Sequence, residues 1–102
     1  MSRVIQRREA KLGIIEIADF IARDNLDAAQ RFIQGVEESY TFLAEFPDSG
    51  ELWKSANPKY SKTRFWPVRG FPNYLIFFRP CRDGVEILSV IHAARDLQSL
   101  FE

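Results

Sequence analysis

The residues of this sequence best suited to chemistry lie close together near its end, in the stretch VIHAARDL at residues 90–97. This stretch contains the only histidine, His92, and the adjacent pair Arg95 and Asp96, followed by Leu97. A histidine can move a proton near neutral pH, and an arginine can bind a phosphate or a carboxylate. The stretch could therefore be a catalytic site, a surface that recognises a partner, or simply the hydrogen-bonded end of a strand.

The sequence near His92 contains too few acidic and basic groups for the proton transfers of RNA cleavage. Attack by a ribose 2′-hydroxyl needs a base, an acid for the leaving group and cations for the phosphate. His92 is the only imidazole, and the C-terminal LQSLFE has neither tyrosine nor lysine. Arg95 could bind phosphate, although Asp96 beside it would weaken the field. Lys62 and Arg64 could supply further cations, so a ribonuclease remains an alternative, but we predict no catalytic residue.

The composition limits the class of protein. At 102 residues and 46% hydrophobic content, the chain is predicted to fold as a single domain over residues 1–102. Its longest apolar run, Tyr74–Phe78, is far too short to cross a bilayer, and MSRVIQRREA has no signal-peptide core. One cysteine, Cys81, fits a reducing cytoplasm. No spacing of residues predicts a metal site, and no glycine pattern predicts a nucleotide cofactor.

The net charge of zero hides a difference between the two halves. Residues 1–51 carry six Lys/Arg and ten Asp/Glu, whereas residues 52–102 carry eight and four. The C-terminal half is therefore basic, which suits an acidic partner such as an acidic protein tail or a nucleic acid. The simpler alternative is a protein whose two halves neutralise each other.

Helical periodicity dominates the first half of the chain. A weak strand is predicted at Arg3–Gln6, then one helix from Arg8 to Arg23 and a second that starts after Asp24 or Asn25 and ends near Phe46. The two helices should form an antiparallel hairpin. Their predicted buried stripes are Leu12, Ile14, Ile15, Ile17, Ala18 and Ile21, and then Ala29, Phe32, Ile33, Val36, Tyr40 and Leu43.

The second half has the composition of strands. After a loop at Glu51–Lys62, the segments TRFWPV, NYLIFFR and VEILSVI are separated by turn residues and predict an antiparallel meander. Pro67 should place its strand at an edge or at a bulge. In the last strand, one face should hold Val85, Ile87, Ser89 and Ile91, and the other Glu86, Leu88, Val90 and His92. The predicted fold is α+β, with an N-terminal strand and a helical hairpin packed on an antiparallel sheet.

This order of elements, together with FPDSG, GFPNYLIFFR and above all ILSVIHAARDL, resembles the RelE/ParE toxin superfamily and most closely its ParE branch. The resemblance runs from the N-terminal strand to Leu97. It implies a small cytoplasmic toxin of a type II toxin–antitoxin system, of the kind that stabilises plasmids. ParE-like toxins are understood to inhibit DNA gyrase, whereas RelE-like toxins cut mRNA on the ribosome. A third alternative is a non-toxic member that only binds an antitoxin.

The resemblance also implies roles for particular residues. ParE toxicity is ascribed to the C-terminal region, so His92, Arg95, Asp96 and Leu97 are candidates for recognition of the target. RelE-type enzymes carry an arginine on the strand where this chain has Tyr74 or Leu75. The implied partner is a ParD-like antitoxin in a hetero-oligomer, and DNA would be contacted only through that antitoxin. The candidates for antitoxin binding are Trp53, Arg64, Trp66 and Arg79.

Overall fold

The helices come first in the chain and most of the sheet follows, as a computed structural model of residues 2–55 and 57–97 describes. The α+β prediction is confirmed. In chain order the elements are β1 (Arg3–Gln6), α1 (Arg8–Ala22), α2 (Leu26–Glu45), β2 (Glu51–Leu52), a 3-10 turn (Pro58–Tyr60), β3 (Arg64–Val68), β4 (Phe71–Cys81), β5 (Gly84–His92) and α3 (Ala93–Asp96).

The two long helices have the boundaries that their capping residues dictate. The side chain of Asn25 accepts the backbone N–H of Ala28 at 3.0 Å and so starts α2 as a predicted N-cap. The helix ends at Glu45. The next residue directly precedes Pro47, and a proline disfavours helical geometry in the residue before it. α1 and α2 pack against each other as the predicted hairpin. Among the described residues, no helix combines the length and apolarity needed to cross a membrane.

The strands form one mixed sheet in the order β1-β5-β4-β3-β2. β3, β4 and β5 make the predicted antiparallel meander, whereas β1 runs parallel to β5. The register of β3 shifts between Pro67 and Val68, where a bulge was one of the two predictions. The predicted loop at Glu51–Lys62 contains the short strand β2 and the 3-10 turn. β2 was not predicted as a strand, because two paired residues are too few to produce a recognisable alternation in the sequence.

The hydrophobic core lies between the helical hairpin and one side of the sheet, which we name the helix-facing side; the other is the outer side. Helices contribute part of this core and the three long strands contribute the rest. Its buried members include Ile17, Phe32, Val36, Leu43, Val68, Ile76, Phe78, Val85, Ile87 and Val90. Burial of these side chains is the main stabilising contribution to the fold.

The predicted helical stripes are wrong at three positions. Ile33 is 41% exposed, Leu12 51% and Ile15 56%. Adjacent residues lie about 100° apart around a helix, so Phe32 and Ile33 cannot both point at the sheet. Phe32 takes the buried position at 0% exposure, and Ile33 faces outward. The apolar character of Ile33 and its position next to the buried Phe32 were therefore not sufficient to predict that Ile33 is buried.

The alternation predicted for the last strand is wrong beyond Ile87. Consecutive residues of β4 pair with residues 87 and 89, so Leu88 is an extra residue in β5. A β-bulge of this kind reverses the side to which the following side chains point. As a result Val85, Ile87 and Val90 all join the same core cluster, although two are odd-numbered and one is even-numbered.

The middle of α2 is fixed to the turn between β3 and β4. At Gly35 an added Cβ would collide with the carbonyl oxygen of Arg69, so the close approach requires glycine. Ser39, one helical turn later, is buried and bridges the two elements. Its hydroxyl donates to the Gly35 carbonyl at 2.7 Å and accepts the Arg69 N–H at 3.0 Å.

The outer side of the sheet is partly covered by the segment that follows β2. Trp53 packs against Phe77 with ring centroids 5.2 Å apart, and against Tyr60 at 4.9 Å. Phe77 is only 2% exposed even though it points away from the helices. Trp53 therefore covers part of the outer side of the sheet.

Candidate functional site

His92 is both the last residue of β5 and the N-cap of α3. Its Nδ1 atom accepts the backbone N–H of Arg95 at 3.1 Å. An imidazole nitrogen that accepts a hydrogen bond carries no proton, so the neutral ring holds its proton on Nε2. The ring of Tyr74, directly opposite on β4, meets the imidazole edge to face with centroids 5.0 Å apart. The only ring nitrogen able to accept a proton is thus engaged by the backbone.

Arg95 and Asp96 bind each other as well as the strand end. The Nε and Nη2 atoms of Arg95 donate to the two carboxylate oxygens of Asp96, each at 2.9 Å. This hydrogen bonding lowers the pKa of the Asp96 carboxyl and raises the pKa of the Arg95 guanidinium. Asp96 Oδ2 also accepts the backbone N–H of His92 at 3.4 Å. The His92 side chain thus accepts the backbone N–H of Arg95, and the Asp96 side chain accepts the backbone N–H of His92, an arrangement similar to a capping box.

Arg95 also faces α1 across a groove of about 280 Å³. Its Nη2 atom lies 3.6 Å from Oε1 of Glu16. The groove is lined by three carboxylates, those of Glu9, Glu16 and Asp96, and by the apolar Leu12. The positive charge of Arg95 is therefore offset by its neighbours, which makes the groove a poor site for phosphate. In the described ranges, no three His, Cys, Asp or Glu side chains are arranged to hold a metal ion.

The four predicted target-recognition candidates lie together at one end of the sheet. Leu97 follows α3, is half-buried, and donates its backbone N–H to the Ala93 carbonyl. His92, Arg95 and Asp96 precede it in the cap just described. The segment is thus a folded, compact tip.

Two neighbours of this tip were not predicted. Nothing in the sequence indicates that Glu16 lies near Arg95, because this contact arises only from the crossing of α1 over β5. The position of Tyr74 was partly predictable. A regular hairpin register, counted from the turn between β4 and β5, places its neighbour Asn73 opposite His92. The extra residue at Leu88 shifts that partner to Tyr74.

The two tryptophans among the predicted antitoxin-binding candidates lie on opposite sides of the sheet. Trp53 covers the outer side, as described above. Trp66 points to the helix-facing side, where its ring stacks on Phe42 with centroids 5.3 Å apart. Trp66 is half-buried against the core and also lines a groove between α2 and the turn after β3. The structure does not bring the two tryptophans together.

The two arginines among those candidates lie in one groove of about 370 Å³. Arg64 and Arg79 share it with Lys62 and Asp48. The Nη1 atom of Arg64 donates to the Gly50 carbonyl at 3.1 Å, which holds the guanidinium beside the end of β3. Arg64 and Trp66 are alternate residues of β3 and point to the same side of the sheet, whereas Arg79 Nε lies 3.9 Å from Glu86 Oε1 on the outer side.

Comparison with known proteins agrees with this fold. The family profile described as "ParE toxin of type II toxin-antitoxin system, parDE" matches residues 4–97. A protein of Sinorhizobium fredii (strain NBRC 101917 / NGR234) named "Putative toxin Y4kP" is 37% identical over 78 residues, which cover 76% of this chain and 74% of that protein. A solved structure described as "Chromosomal ParDE TA system from P. aeruginosa" has the same fold, with a TM-score of 0.69 at 18% identity over 90% of this chain and 96% of that chain. The protein belongs to the ParE toxin family of type II toxin–antitoxin systems.

Proposed function

We propose that this toxin binds DNA gyrase and blocks its supercoiling reaction, and that a ParD-like antitoxin neutralises it in a hetero-oligomer in the cytoplasm. Family membership supports the mode of action, because gyrase inhibition is what the ParE resemblance implies. The solved structure with the same fold is that of a ParDE system, which supports the antitoxin partner. DNA is contacted only through the antitoxin.

The observation that carries this proposal is the hydrogen bond between His92 Nδ1 and the backbone of Arg95. A general base needs a free nitrogen within reach of the substrate. Here Nδ1 caps a helix and Nε2 carries the proton. Arg95 is in turn paired with Asp96 and lies near Glu16. We infer that residues 92–97 form a rigid recognition tip whose action on gyrase is binding rather than catalysis.

A ribosome-dependent ribonuclease is the second candidate, favoured by a basic groove on the outer side of the sheet. Arg7, Lys59 and Arg79 line this groove of about 150 Å³ together with Tyr60. Cations and a hydroxyl are groups that RNA cleavage uses. Glu86 lies in the same place, 2.8 Å from Arg7 Nε and 3.9 Å from Arg79 Nε, and reduces the positive charge. The gyrase proposal is therefore preferred.

The direct test is supercoiling of a relaxed plasmid by purified gyrase, with and without the purified protein. We expect inhibition that increases with toxin concentration. In parallel, total mRNA should be mapped for new 5′ ends after induction of the toxin in cells.

The outcomes separate the candidates. Inhibition of supercoiling without new mRNA ends supports the proposal. Cleavage of mRNA with normal supercoiling assigns the protein to the ribonuclease alternative. Neither effect, together with unimpaired growth, would leave a non-toxic member that only binds an antitoxin and would overturn the proposal.

A further inference from the structure

An apolar groove of about 270 Å³ lies between α1 and α2 on the exposed face of the helical hairpin, and we name it the hairpin groove. Ile14 and Val36 line its inner part and are half-buried and buried. Ile15 on α1 and Ile33 on α2 line it as exposed side chains. Leu12, one helical turn before Ile15, is also exposed and extends the apolar surface along α1. A contiguous exposed apolar surface marks a site of contact with another protein chain.

Two opposite charges lie on opposite sides of the hairpin groove. Lys11 belongs to α1 and Glu37 to α2, and both are exposed and line the groove. Within residues 2–55 and 57–97, neither side chain forms an ion pair. The ammonium group and the carboxylate are therefore both available to charged groups of another molecule.

The charges and the exposed isoleucines form matched pairs along the hairpin. Lys11 lies as many residues before Asp24, in the turn between the helices, as Glu37 lies after it. Ile15 and Ile33 are likewise equally far from Asp24. Two antiparallel helices have the same rise per residue, so the members of each pair lie at the same height on opposite helices. The surface is therefore complementary to itself when its two helices are exchanged.

We propose that the hairpin groove binds a second copy of this chain, about a two-fold axis that runs along the groove. This axis places α1 of each copy on α2 of the other, so each of the four helices packs between antiparallel neighbours. Lys11 of each copy then faces Glu37 of the other. Ile15 of each copy faces Ile33 of the other in the same way. Every contact forms twice, as in any interface built from the same surface on both subunits.

The charges select this axis over the other one that the surface allows. A two-fold axis across the groove, at the height of the charged pair, would stack α1 on α1 and α2 on α2. Lys11 would then face Lys11, and Glu37 would face Glu37, which is repulsive. Burial of the isoleucines drives the association, whereas the exposed ion pairs add little affinity and determine which surfaces meet. The outer side of each sheet faces away from this contact and stays exposed in the dimer.

The test is sedimentation velocity of the purified protein over a range of concentrations. We expect an equilibrium between monomer and dimer in which the dimer fraction increases with concentration. Ile15→Asp and Ile33→Asp each place a charge opposite an isoleucine of the other copy and should weaken self-association by about tenfold or more. Both positions are exposed in the monomer, so circular dichroism should show that both variants are folded.

Charge reversals identify the partner as a second copy. Lys11→Glu and Glu37→Lys each create two contacts between like charges, and each should weaken self-association by about tenfold or more. An equimolar mixture of these two variants has opposite charges at both contacts, so it should form a mixed dimer about as tightly as the unchanged protein. Glu51→Lys and Lys54→Glu are matched controls at exposed positions in and after the edge strand β2, and they should self-associate as the unchanged protein does.

Three results would overturn the proposal. One is a protein that stays monomeric up to about 0.1 mM, where a Kd of that order would already give a visible dimer. This is also the result expected if the groove binds a different protein. The others are a dimer that the aspartate variants leave unchanged and a mixture of folded charge-reversal variants that associates no more tightly than either alone. None of these measurements involves gyrase or an antitoxin, so a failure of the proposed function is seen separately, as normal supercoiling in the presence of the unchanged toxin.

Discussion

The Nδ1 atom of His92 lies 3.1 Å from the backbone nitrogen of Arg95 and accepts its hydrogen. The residue that most suggested proton transfer is thus the cap of a short helix. The Asp96 carboxylate in turn accepts the backbone N–H of His92. His-x-x-Arg-Asp in this chain is therefore a local folding unit that ends the sheet in a defined geometry, and its chemistry follows from that geometry.

The capping role of His92 predicts a particular order of stabilities. His92→Ala removes the acceptor and should lower the free energy of unfolding by about 1 kcal/mol. His92→Asn supplies a side-chain oxygen in the same role and should lie close to the unchanged protein. Urea denaturation of the three proteins checks this order. An alanine variant as stable as the unchanged protein would remove the capping role.

The pair of Arg95 and Asp96 predicts a dependence of stability on pH. Because Arg95 holds the pKa of the Asp96 carboxyl below its ordinary value, the pair stabilises the folded state above that ordinary value, which is about 3.9. The contribution disappears as the pH falls through the lowered pKa. In thermal melts at pH 7, the unchanged protein should have a higher Tm than the Asp96→Asn variant. This difference in Tm should shrink below about pH 4. A difference that grows in acid would contradict the pairing.

The corrected face of α2 predicts opposite results for two variants. Val36→Asp places a carboxyl group where the side chain is 3% exposed and should unfold the protein, because burying an unpaired polar or charged group is strongly destabilising and only about 5–15 kcal/mol stabilises a domain. Ile33→Asp changes a position that is 41% exposed and should leave a folded protein. Circular dichroism and melting of both variants decide the matter. Equal loss of structure in both would refute this orientation of α2.

The close approach at Gly35 predicts a substitution effect opposite to helix propensity. Alanine favours a helix over glycine by about 1 kcal/mol, so Gly35→Ala would stabilise an isolated α2. In the folded protein its Cβ meets the carbonyl of Arg69, and we expect a lower Tm. Gln34→Ala, at an exposed position of the same helix, is the control and should be nearly neutral. A rise in Tm for Gly35→Ala would show that the contact with Arg69 is not tight.

Periodicity and turn residues were enough to predict the helices and the three long strands, because each of these elements repeats its pattern over many residues. The details that failed depend on single contacts. Leu88 adds one residue to β5 and no composition signal marks it, yet it moves Val90 into the core. Ile33 looked buried because it adjoins Phe32, and only the orientation of α2 on the sheet separates the two.

The candidate site was predictable where its residues are adjacent in the chain. His92, Arg95, Asp96 and Leu97 are neighbours in sequence and therefore neighbours in space. Contacts between distant elements were not predictable: Glu16 reaches Arg95 because α1 crosses β5. The pairing of Trp66 with Phe42 has the same origin, since it requires α2 to pack on β3.

The most direct test of the recognition tip is inhibition of purified gyrase by the His92→Asn toxin beside the unchanged toxin, with both shown to be folded. Asparagine keeps the cap but cannot shuttle a proton, so supercoiling should be inhibited at the same toxin concentration by both proteins. If the unchanged toxin inhibits gyrase and a folded His92→Asn toxin does not, the imidazole itself is required and recognition by a capped tip is contradicted. If neither protein inhibits supercoiling, gyrase is not the target.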